Sequence, residues 1–468
     1  MISFQGKRVT VMGLGTRAGG LGVARFLAEQ GAIVTVTDGK PEAELSESLA
    51  ELRDFPIQFA LGGHQDRHFT PEGADLVVRN PAVRRWSPYL ALARESGVPV
   101  EMEISIFLQA SPAPVIGITG TKGKTSTSAL TAAMLREWRP TTVLAGNMGV
   151  SAVAYLAQID PNTPVVLEIS NWQLEAMDQR QVAPKIAVLT NIHEDHLDTY
   201  DGFEDYANTK RSIASHLSPE DTLVVNRDNA EAWRAVERTR ARIVSFGSIR
   251  PTGEGFWVEG RTICWETSES TSCVELPERF VYQGMHQRLN AAAAIAAALA
   301  RGADERAICA GLDRFEGVRD RAELVAEIDG VLFVNDTSAT APAAAIAALD
   351  GYPGRRIHVI AGGFDKKLDL EPLGAALATH AASVLLLEGT ATPRLIASIE
   401  ANGGSWDGPF DSMRAAVEAG AEVARDGDVV LLSPGCASFG LFRDEFDRGD
   451  KFREAVASLT GTPVQATR

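Results

Sequence analysis

Cysteine is scarce in this chain: four residues in 468, with no C-x-x-C pair among them. Disulfide frameworks and structural zinc sites both need cysteines at defined spacings, so we expect neither here. A low cysteine content also fits a reducing compartment. The four are Cys264, Cys273, Cys309 and Cys436.

Long apolar runs are lacking as well. The longest run, near AAAAIAAALA, is about half of the length that a membrane-spanning helix needs. The N-terminal segment MISFQGKRVTVMGLG does not show the charged, then apolar, then small order of a secretion signal. We therefore expect a soluble cytoplasmic protein that does not insert into a membrane.

Positive charge is in deficit. The chain has 45 lysines and arginines against 61 aspartates and glutamates, a formal net charge of -16 at pH 7. Nucleic acids are bound largely through basic residues that neutralise phosphates, so we expect no nucleic-acid partner. A small anionic nucleotide can still bind where a few cations and backbone N–H groups converge.

What is present is an alternation of short β-branched runs with alanine-rich helical stretches. This alternation predicts an α/β fold with parallel sheets and crossover helices. The chain is also too long for one hydrophobic core, which stops growing near about 250 to 300 residues. Strand-rich blocks that end near PVEMEISIF, restart at SPAPVIGITG and restart again after GLDRFEGVRDR predict three domains, at 1–110, 111–318 and 319–468. Within the second we expect antiparallel strands over about 255–283 and a helix from His286 to Arg301.

The segment GITGTKGKTST lies between a predicted strand and the helix SALTAAMLREW. Its glycines allow backbone N–H groups to close around phosphate oxygens, and the helix N-terminus adds a positive dipole. Lys124 would neutralise the transferred phosphate and Thr125 would hold Mg²⁺. The plainer alternative is a glycine-rich turn entering a helix, but the strand–loop–helix context favours a nucleoside triphosphate. The predicted ATP loop comprises Gly120, Thr121, Lys122, Gly123, Lys124, Thr125 and Ser126.

Further candidates follow the next strands. Glu168 ends the apolar strand PVVLEIS, at the sheet edge where open parallel sheets bind ligands, and Mg²⁺ prefers such hard oxygen ligands. The strand KIAVLTNI runs into HEDHLDTY and brings Asp195 and His196 to the same edge. Lys210 follows in FEDYANTKRSI. Taken singly, a capping glutamate, a structural histidine and an ordinary helix lysine are the alternatives.

At the N-terminus, Gly13, Gly15 and Gly19 follow a strand, and Asp38 ends the next one. On its own this pattern is typical of dinucleotide binding, and hydride transfer is the competing hypothesis. A dehydrogenase, however, has no use for a second, triphosphate-type loop at Gly120.

The motifs G-T-K-G-K-T-S, N-x-x-x-D-H-L-D with its following lysine, E-I-S-N-W-Q-L-E and S-P-G-C-A-S-F resemble those of the Mur ligase family over essentially the whole chain, and most closely those of its glutamate-adding member. The resemblance implies a Rossmann-like N-terminal domain for a UDP-linked substrate, a P-loop central ATPase domain with a mixed sheet and a Rossmann-like C-terminal domain for the amino acid. It implies an ATP-dependent ligase that adds glutamate to UDP-muramoyl-alanine through an acyl phosphate in peptidoglycan precursor synthesis. The implied cofactors are ATP, two Mg²⁺ ions and a carbamylated lysine, and the chain is expected to be a monomer.

Site residues are carried over by matching these motifs. The catalytic residues implied are Lys124, Glu168, His196 and Lys210, and the metal ligands Thr125, Glu168, His196 and carbamylated Lys210. ATP would also be bound by Asn290, Arg321 and Asp336. The UDP-substrate would be bound by Gly15, Thr16, Arg17, Asp38, Lys40, Asn147, Ser170, Gln173 and His196. Glutamate would be bound by Thr340, Lys366, Ser438 and Phe439.

Several positions depart from the family pattern, and most lie in the amino-acid domain: Gln287, Asp320, Ser338, Ala341 and Glu445. A variant that uses L-glutamate instead of D-glutamate therefore stays open, as do a sister Mur ligase and a folylpolyglutamate synthase. Lys367 is an alternative to Lys366. From another class, a non-catalytic nucleotide-binding regulator would need only the first block.

Overall fold

The computed structural model of the chain describes residues 3–15, 18–148, 151–195, 199–268, 270–277 and 284–460. Its strands form three sheets, of five, nine and six strands, which confirms the predicted α/β class with three domains. The first two sheets belong to one compact unit and the third to another, which contains the chain from Phe315 onward. The boundaries near residues 111 and 318 stay predictions.

The N-terminal sheet has the strand order β3-β2-β1-β4-β5, and all of its pairs are parallel. This order matches the first five strands of the doubly wound Rossmann order, in which the strand order reverses between β1 and β4. The valine-rich β1 and β2 are largely buried, as expected for strands covered by helices on both faces. The elements are β1 (Arg8–Met12), α1 (Ala18–Glu29), β2 (Ile33–Asp38), α2 (Ser46–Leu52), β3 (Ile57–Leu61), β4 (Leu76–Arg79), α3 (Pro88–Glu95), β5 (Val100–Glu101) and α4 (Glu103–Ala110).

The central sheet runs β14-β13-β12-β11-β10-β9-β6-β8-β7. It is parallel from β7 to β12, and the last two pairings are antiparallel, which confirms the predicted mixed sheet. The elements begin with β6 (Val115–Thr119), α5 (Lys124–Trp138), β7 (Val143–Gly146), β8 (Val165–Glu168), α6 (Asn171–Arg180), β9 (Ile186–Leu189) and α7 (Phe203–Arg211). They continue with β10 (Thr222–Asn226), α8 (Ala230–Trp233), β11 (Arg242–Gly247), β12 (Gly255–Glu259), β13 (Thr262–Glu266), β14 (Thr271–Glu275), α9 (Met285–Arg301) and α10 (Glu305–Arg314).

The C-terminal sheet runs β15-β16-β20-β17-β18-β19 and is parallel except for the edge pair β15/β16. Apolar clusters lie on its two faces, around Val359 and around Val430. Its elements are β15 (Glu323–Ile328), β16 (Val331–Asn335), α11 (Pro342–Leu349), β17 (Ile357–Ala361), α12 (Glu371–His380), β18 (Ser383–Leu387), α13 (Thr392–Ala401), β19 (Asp407–Phe410), α14 (Met413–Val423), β20 (Val429–Leu432) and α15 (Glu445–Thr460).

Two sequence-based expectations were wrong. EISIF is not strand but the start of α4, where the Ser105 side chain bonds back to the backbone of Met102 and caps the helix. Cys264 and Cys273 form a disulfide although no disulfide was expected. The two lie opposite each other on the antiparallel strands β13 and β14, so the pairing depends on a hairpin register that cysteine spacing does not reveal.

Among the described helices, none is both long and apolar enough to cross a membrane.

Candidate functional site

The predicted phosphate loop lies between β6 and α5, at the carboxyl edge of the central sheet. Gly120 and Gly123 both have φ in the region that favours glycine, at 150° and 86°. A Cβ at Gly120 would collide with the Thr190 hydroxyl, and one at Gly123 with the amide of Asn290. Glycine is therefore required at both positions by conformation and by close packing.

Residues after β9 hold the loop in place. The Thr190 hydroxyl donates to the Lys122 carbonyl at 2.7 Å, and the Lys122 N–H donates to Oδ1 of Asn191 at 2.9 Å. The Thr121 hydroxyl lies 3.0 Å from the Tyr206 hydroxyl. These contacts pre-organise the loop, so less conformational entropy is lost when a ligand binds.

Lys124 is the first residue of α5 and curls back over the loop. Its Nζ donates to the carbonyls of Gly120 and Thr121, at 3.0 and 3.1 Å. Thr125 and Ser126 follow in the first turn, where helix N–H groups have no partners within the helix. A cation, a helix N-terminus and a glycine loop thus converge on one place, which is suited to a phosphate chain.

Asn290 from α9 borders this loop and is buried. Its side-chain amide donates to Oε1 of Gln287 at 3.0 Å, so the glutamine found in place of the family's asparagine orients Asn290. Its predicted contact with the base of ATP stays a prediction.

Glu168 is buried at the end of β8, as predicted from the sequence. Its Oε1 accepts a 2.8 Å hydrogen bond from the Asn147 side chain. Its Oε2 is buried and receives no hydrogen bond from the described residues. An ionised oxygen in that position is costly unless a cation or donor pairs with it.

Lys210 lies on α7 with only 1% of its surface exposed. Its Nζ is 3.4 Å from the Thr119 hydroxyl. Burial lowers the pKa of Lys210 well below its ordinary value, and the charge of Lys124 lowers it further, while Asp195 and Glu168 oppose the shift. The fold therefore brings Lys124, Asp195 and Glu168, which follow neighbouring strands, within electrostatic reach of Lys210, which only the family resemblance had pointed to.

The remaining member of the predicted metal set, His196, lies outside the described residues. The described parts of the chain contain no group of three or more His, Cys, Asp or Glu side chains that could hold a metal ion. A site made of a few protein oxygens, completed by phosphate and water, is the arrangement that Mg²⁺ usually adopts.

At the N-terminal sheet, the Asp38 carboxylate accepts hydrogen bonds from the glycine turn that follows β1 and from the backbone of Lys40. Oδ2 accepts from the N–H groups of Leu14 and Gly15, at 2.9 and 3.2 Å, and Oδ1 accepts from that of Lys40 at 2.9 Å. The third glycine of the predicted pattern, Gly19, has room for a Cβ. At the next residue, Gly20, a Cβ would collide with the carbonyls of residues 13 and 14, so close packing requires glycine there. Thr16 and Arg17, predicted at the substrate phosphates, lie outside the described residues.

Ser170 and Gln173 form a capping box at the start of α6. The Ser170 N–H donates to Oε1 of Gln173 at 2.8 Å, and the Gln173 N–H donates to the Ser170 hydroxyl at 3.4 Å. This reciprocal cap stabilises the helix N-terminus beside Glu168. Their predicted role at the sugar end of the substrate stays a prediction.

In the C-terminal unit, three loops after β16, β17 and β20 carry the predicted glutamate residues. Nζ of Lys366 donates to the Thr340 hydroxyl at 3.1 Å, and burial lowers the pKa of Lys366. The loop with Ser438 is joined to that of Lys366 by an antiparallel bridge between Phe364 and Ala437. Ser438 is buried, whereas Phe439 is exposed and packs edge-on against Phe364 with ring centroids 5.8 Å apart.

Asp336, at the end of β16, accepts hydrogen bonds from the Ala322 N–H at 3.1 Å and the Ser433 hydroxyl at 3.0 Å. Burial raises its pKa to about 6. Arg321 lies between Asp320 and Ala322, which both adopt positive φ, at 66° and 43°. Such strained non-glycine residues are enriched at functional sites.

Asp320, which replaces the family's histidine, is buried and pairs with Arg453 at 3.0 Å. Sequence reasoning did not find Arg453, because an arginine in a helix usually points into solvent.

Three family models match the chain: Mur ligase MurD-like, N-terminal domain (residues 7–101), Mur ligase middle domain (118–298) and Mur ligase, glutamate ligase domain (320–436). The UDP-N-acetylmuramoylalanine--D-glutamate ligase of Roseiflexus sp. (strain RS-1) is 45% identical, with 97% of this chain and 99% of that protein covered. The protein of the same name from Pelotomaculum thermopropionicum is 35% identical, with 97% and 98% covered.

Among solved structures, the UDP-N-acetylmuramate-alanine ligase from Thermotoga maritima matches with a TM-score of 0.61 at 20% identity, with 97% of this chain and 100% of that chain covered. MurF from Acinetobacter baumannii matches with a TM-score of 0.59 at 18% identity, with 86% and 93% covered. These proteins share the fold.

Proposed function

The chain belongs to the Mur ligase family, and from this premise we propose that it is an ATP-dependent ligase that joins D-glutamate to UDP-N-acetylmuramoyl-alanine in peptidoglycan precursor synthesis. The names of relatives that are 45% and 35% identical over nearly their whole length support this substrate pair. ATP and Mg²⁺ are the cofactors.

The reaction has two steps. The terminal carboxylate of the UDP-linked substrate attacks the γ-phosphorus of ATP, and ADP leaves to give an acyl phosphate. The amine of glutamate then attacks the acyl carbon, loses a proton and expels inorganic phosphate. Such phosphoryl transfer depends on positioning and charge neutralisation and needs no protein nucleophile. Lys124 and the backbone amides of the loop supply the positioning and the charge neutralisation at the triphosphate.

The residues around Glu168 fit a divalent cation. The buried Oε2 of Glu168, which accepts no hydrogen bond from the described residues, is a ready ligand, and Asn147 holds the other oxygen. We assign two Mg²⁺ ions to Thr125, Glu168, His196 and carbamylated Lys210. When bound, Mg²⁺ neutralises phosphate oxygens and makes the phosphorus more electrophilic.

The single observation that carries this proposal is the buried amine of Lys210, close in space to Lys124 and Glu168. Two ammonium groups beside a cation site repel each other and the cation. A lowered pKa favours the neutral amine, and a neutral amine attacks CO₂ to give a carbamate and a proton. The carbamate carries a negative charge, so carbamylation turns an unfavourable buried cation into a metal ligand.

A non-catalytic regulator is disfavoured, because binding a nucleotide does not require the buried Lys210 or the buried Glu168 carboxylate near the triphosphate loop. The configuration of the amino acid is set in the C-terminal domain, where Ser338, Ala341 and Glu445 depart from the family pattern. The relatives' names favour D-glutamate over L-glutamate.

We further propose that the protein is a monomer, which sedimentation at micromolar concentration would test.

The proposed function is tested by measuring phosphate release from ATP with UDP-N-acetylmuramoyl-alanine and either D- or L-glutamate, with the product identified by mass spectrometry. Release that requires the UDP-substrate and D-glutamate is expected. A Lys124→Met variant should lose it, whereas Lys185→Met, at a lysine with 60% of its side chain exposed in the same domain, should not. Preference for L-glutamate would overturn the assigned configuration, and release that ignores both substrates would overturn the ligase.

A further inference from the structure

Arg448 on α15 is completely buried, with 0% of its surface exposed. Its guanidinium makes three hydrogen bonds in two directions. Nε donates to the Thr337 hydroxyl and one terminal nitrogen to the Thr337 carbonyl, both at 2.9 Å. The other terminal nitrogen donates to the Cys436 carbonyl at 3.2 Å. The planar fork of arginine suits such a bridge between two segments of backbone.

The two segments are the loops that carry proposed glutamate ligands. Thr337 lies in the loop after β16, three residues before Thr340, and Cys436 lies in the loop after β20, two residues before Ser438. The Thr337 hydroxyl also donates to the Glu445 carbonyl at 2.9 Å, which ties the start of α15 to the same point. Arg448 therefore sets the separation of two loops whose side chains converge on one ligand.

The charge of Arg448 matters as well as its shape. All three hydrogen bonds end on uncharged oxygens, and burial lowers the pKa of Arg448 to about 10. Its charge also acts on Lys366, whose pKa it lowers, while Glu445 acts on both cations in the opposite sense. A buried cation to which no carboxylate of the described residues is hydrogen-bonded creates a positive field, and such a field favours an anionic ligand nearby.

We propose that Arg448 is a positioning residue of the glutamate site, which holds the Thr340 and Ser438 loops in register and adds its charge to that of Lys366 for the carboxylates of the incoming amino acid. The inference rests on the proposed function, because it presumes that glutamate binds at these loops. It assigns to Arg448 an effect on glutamate binding and not on the transferred phosphate. A purely structural buried arginine would instead affect folding, or all kinetic constants together.

The test compares Arg448→Met, which keeps an unbranched chain and removes the charge and the guanidinium, with Arg448→Lys, which keeps the charge and loses the planar guanidinium. Arg443→Met is the matched control, since Arg443 precedes the same helix and 86% of its side chain is exposed. The KM for glutamate, the KM for ATP, the KM for the UDP-substrate and kcat are measured, together with the thermal unfolding midpoint.

We expect Arg448→Met to raise the KM for glutamate about tenfold or more, the size of one lost charge-assisted hydrogen bond, with less than about a threefold change in the KM for ATP. Arg448→Lys should recover part of the loss, and Arg443→Met should match the wild type. An unchanged KM for glutamate in a folded Arg448→Met variant, or equal shifts in all three KM values, would overturn the proposal.

A second variant covers the case in which Arg448→Met does not fold. Thr337→Val removes one acceptor of the bridge and keeps Arg448, so a rise of about threefold in the KM for glutamate is expected. Wild-type glutamate kinetics in that variant would count against the bridge. The proposed function fails separately, and this inference with it, if the wild-type protein itself shows no glutamate-dependent turnover.

Discussion

The side-chain amide of Asn147 donates a 2.8 Å hydrogen bond to one carboxylate oxygen of Glu168, while the other oxygen is buried without a hydrogen bond from the described residues. Asn147 directly follows β7 and Glu168 ends β8, so parallel pairing of these strands places the two side by side. The resemblance to known ligases assigned Asn147 to the sugar end of the substrate. The geometry adds a second role, which is to aim Glu168.

Asn147→Leu should therefore weaken metal binding. Without the amide, Glu168 is no longer held in one rotamer, and loss of such an outer-sphere partner typically costs about 10-fold to 100-fold in metal affinity. We expect the Mg²⁺ concentration for half-maximal phosphate release to rise about tenfold. Asn162→Leu, in an exposed turn, is the control. An unaltered Mg²⁺ dependence in Asn147→Leu would show that Glu168 is aimed by something else.

Lys210→Ala should reduce ligase activity by at least about 100-fold, because the carbamate ligand cannot form. Acetate or another short carboxylate should restore part of it by occupying the space left by the side chain. Protein equilibrated with ¹³C-bicarbonate should show a carbamate carbon by NMR in the wild type and not in Lys210→Ala. Full activity in the alanine variant would remove carbamylation from the mechanism.

Asp336→Asn should stabilise the folded protein while weakening its binding of ATP. Burial raises the pKa of Asp336 to about 6, above the 3.8 of an exposed aspartate. The stability that this carboxyl group contributes is complete below pH 3.8 and is lost as the pH rises through 6. The reason is that the buried site of the folded state disfavours the ionised carboxylate, which the unfolded chain accommodates in water. A shift of about two pKa units corresponds to at most about 3 kcal/mol.

The asparagine variant avoids this cost, so its melting temperature should exceed that of the wild type at pH 8 and by a smaller margin at pH 5. Its KM for ATP should rise, in keeping with the role assigned to Asp336. Differential scanning calorimetry across this pH range decides the matter, and a variant that is less stable at pH 8 would contradict the assignment.

The protein should carry one disulfide and two free thiols. Cys264 and Cys273 are bonded, Cys309 is exposed and Cys436 is buried. Thiol titration of denatured, unreduced protein should count two thiols, and titration after reduction should count four. Since closing a loop of this size is worth about 2 to 3 kcal/mol, reduction should also lower the melting temperature. A count of four before reduction would show that the pair stays as thiols.

The sequence by itself determined the fold class and which polar side chains stand at the strand ends. In a parallel sheet, carboxyl ends of neighbouring strands meet at one edge, so the order of the phosphate loop, PVVLEIS and KIAVLTNI was enough to bring Lys124, Glu168 and Asp195 together. Lys210 was found only through family resemblance. Its burial, and hence the lowered pKa that makes the assignment physically reasonable, could not be read from a lysine in a polar helix.

Only the tertiary structure decided which side chains bridge separate segments. Three contacts show this: the hydrogen bond from Asn147 to Glu168, the disulfide between β13 and β14, and the hydrogen bonds from Arg448 to two loops. Each joins residues whose distance in space depends on strand register and packing. In the sequence, Arg448 stands in the polar segment DRGD and has the pattern of a solvated surface residue. Its burial follows from how α15 lies against the sheet. Local sequence specifies which elements form and which end carries polar groups, but contacts between elements are set by the whole core, and these contacts position and tune the functional groups.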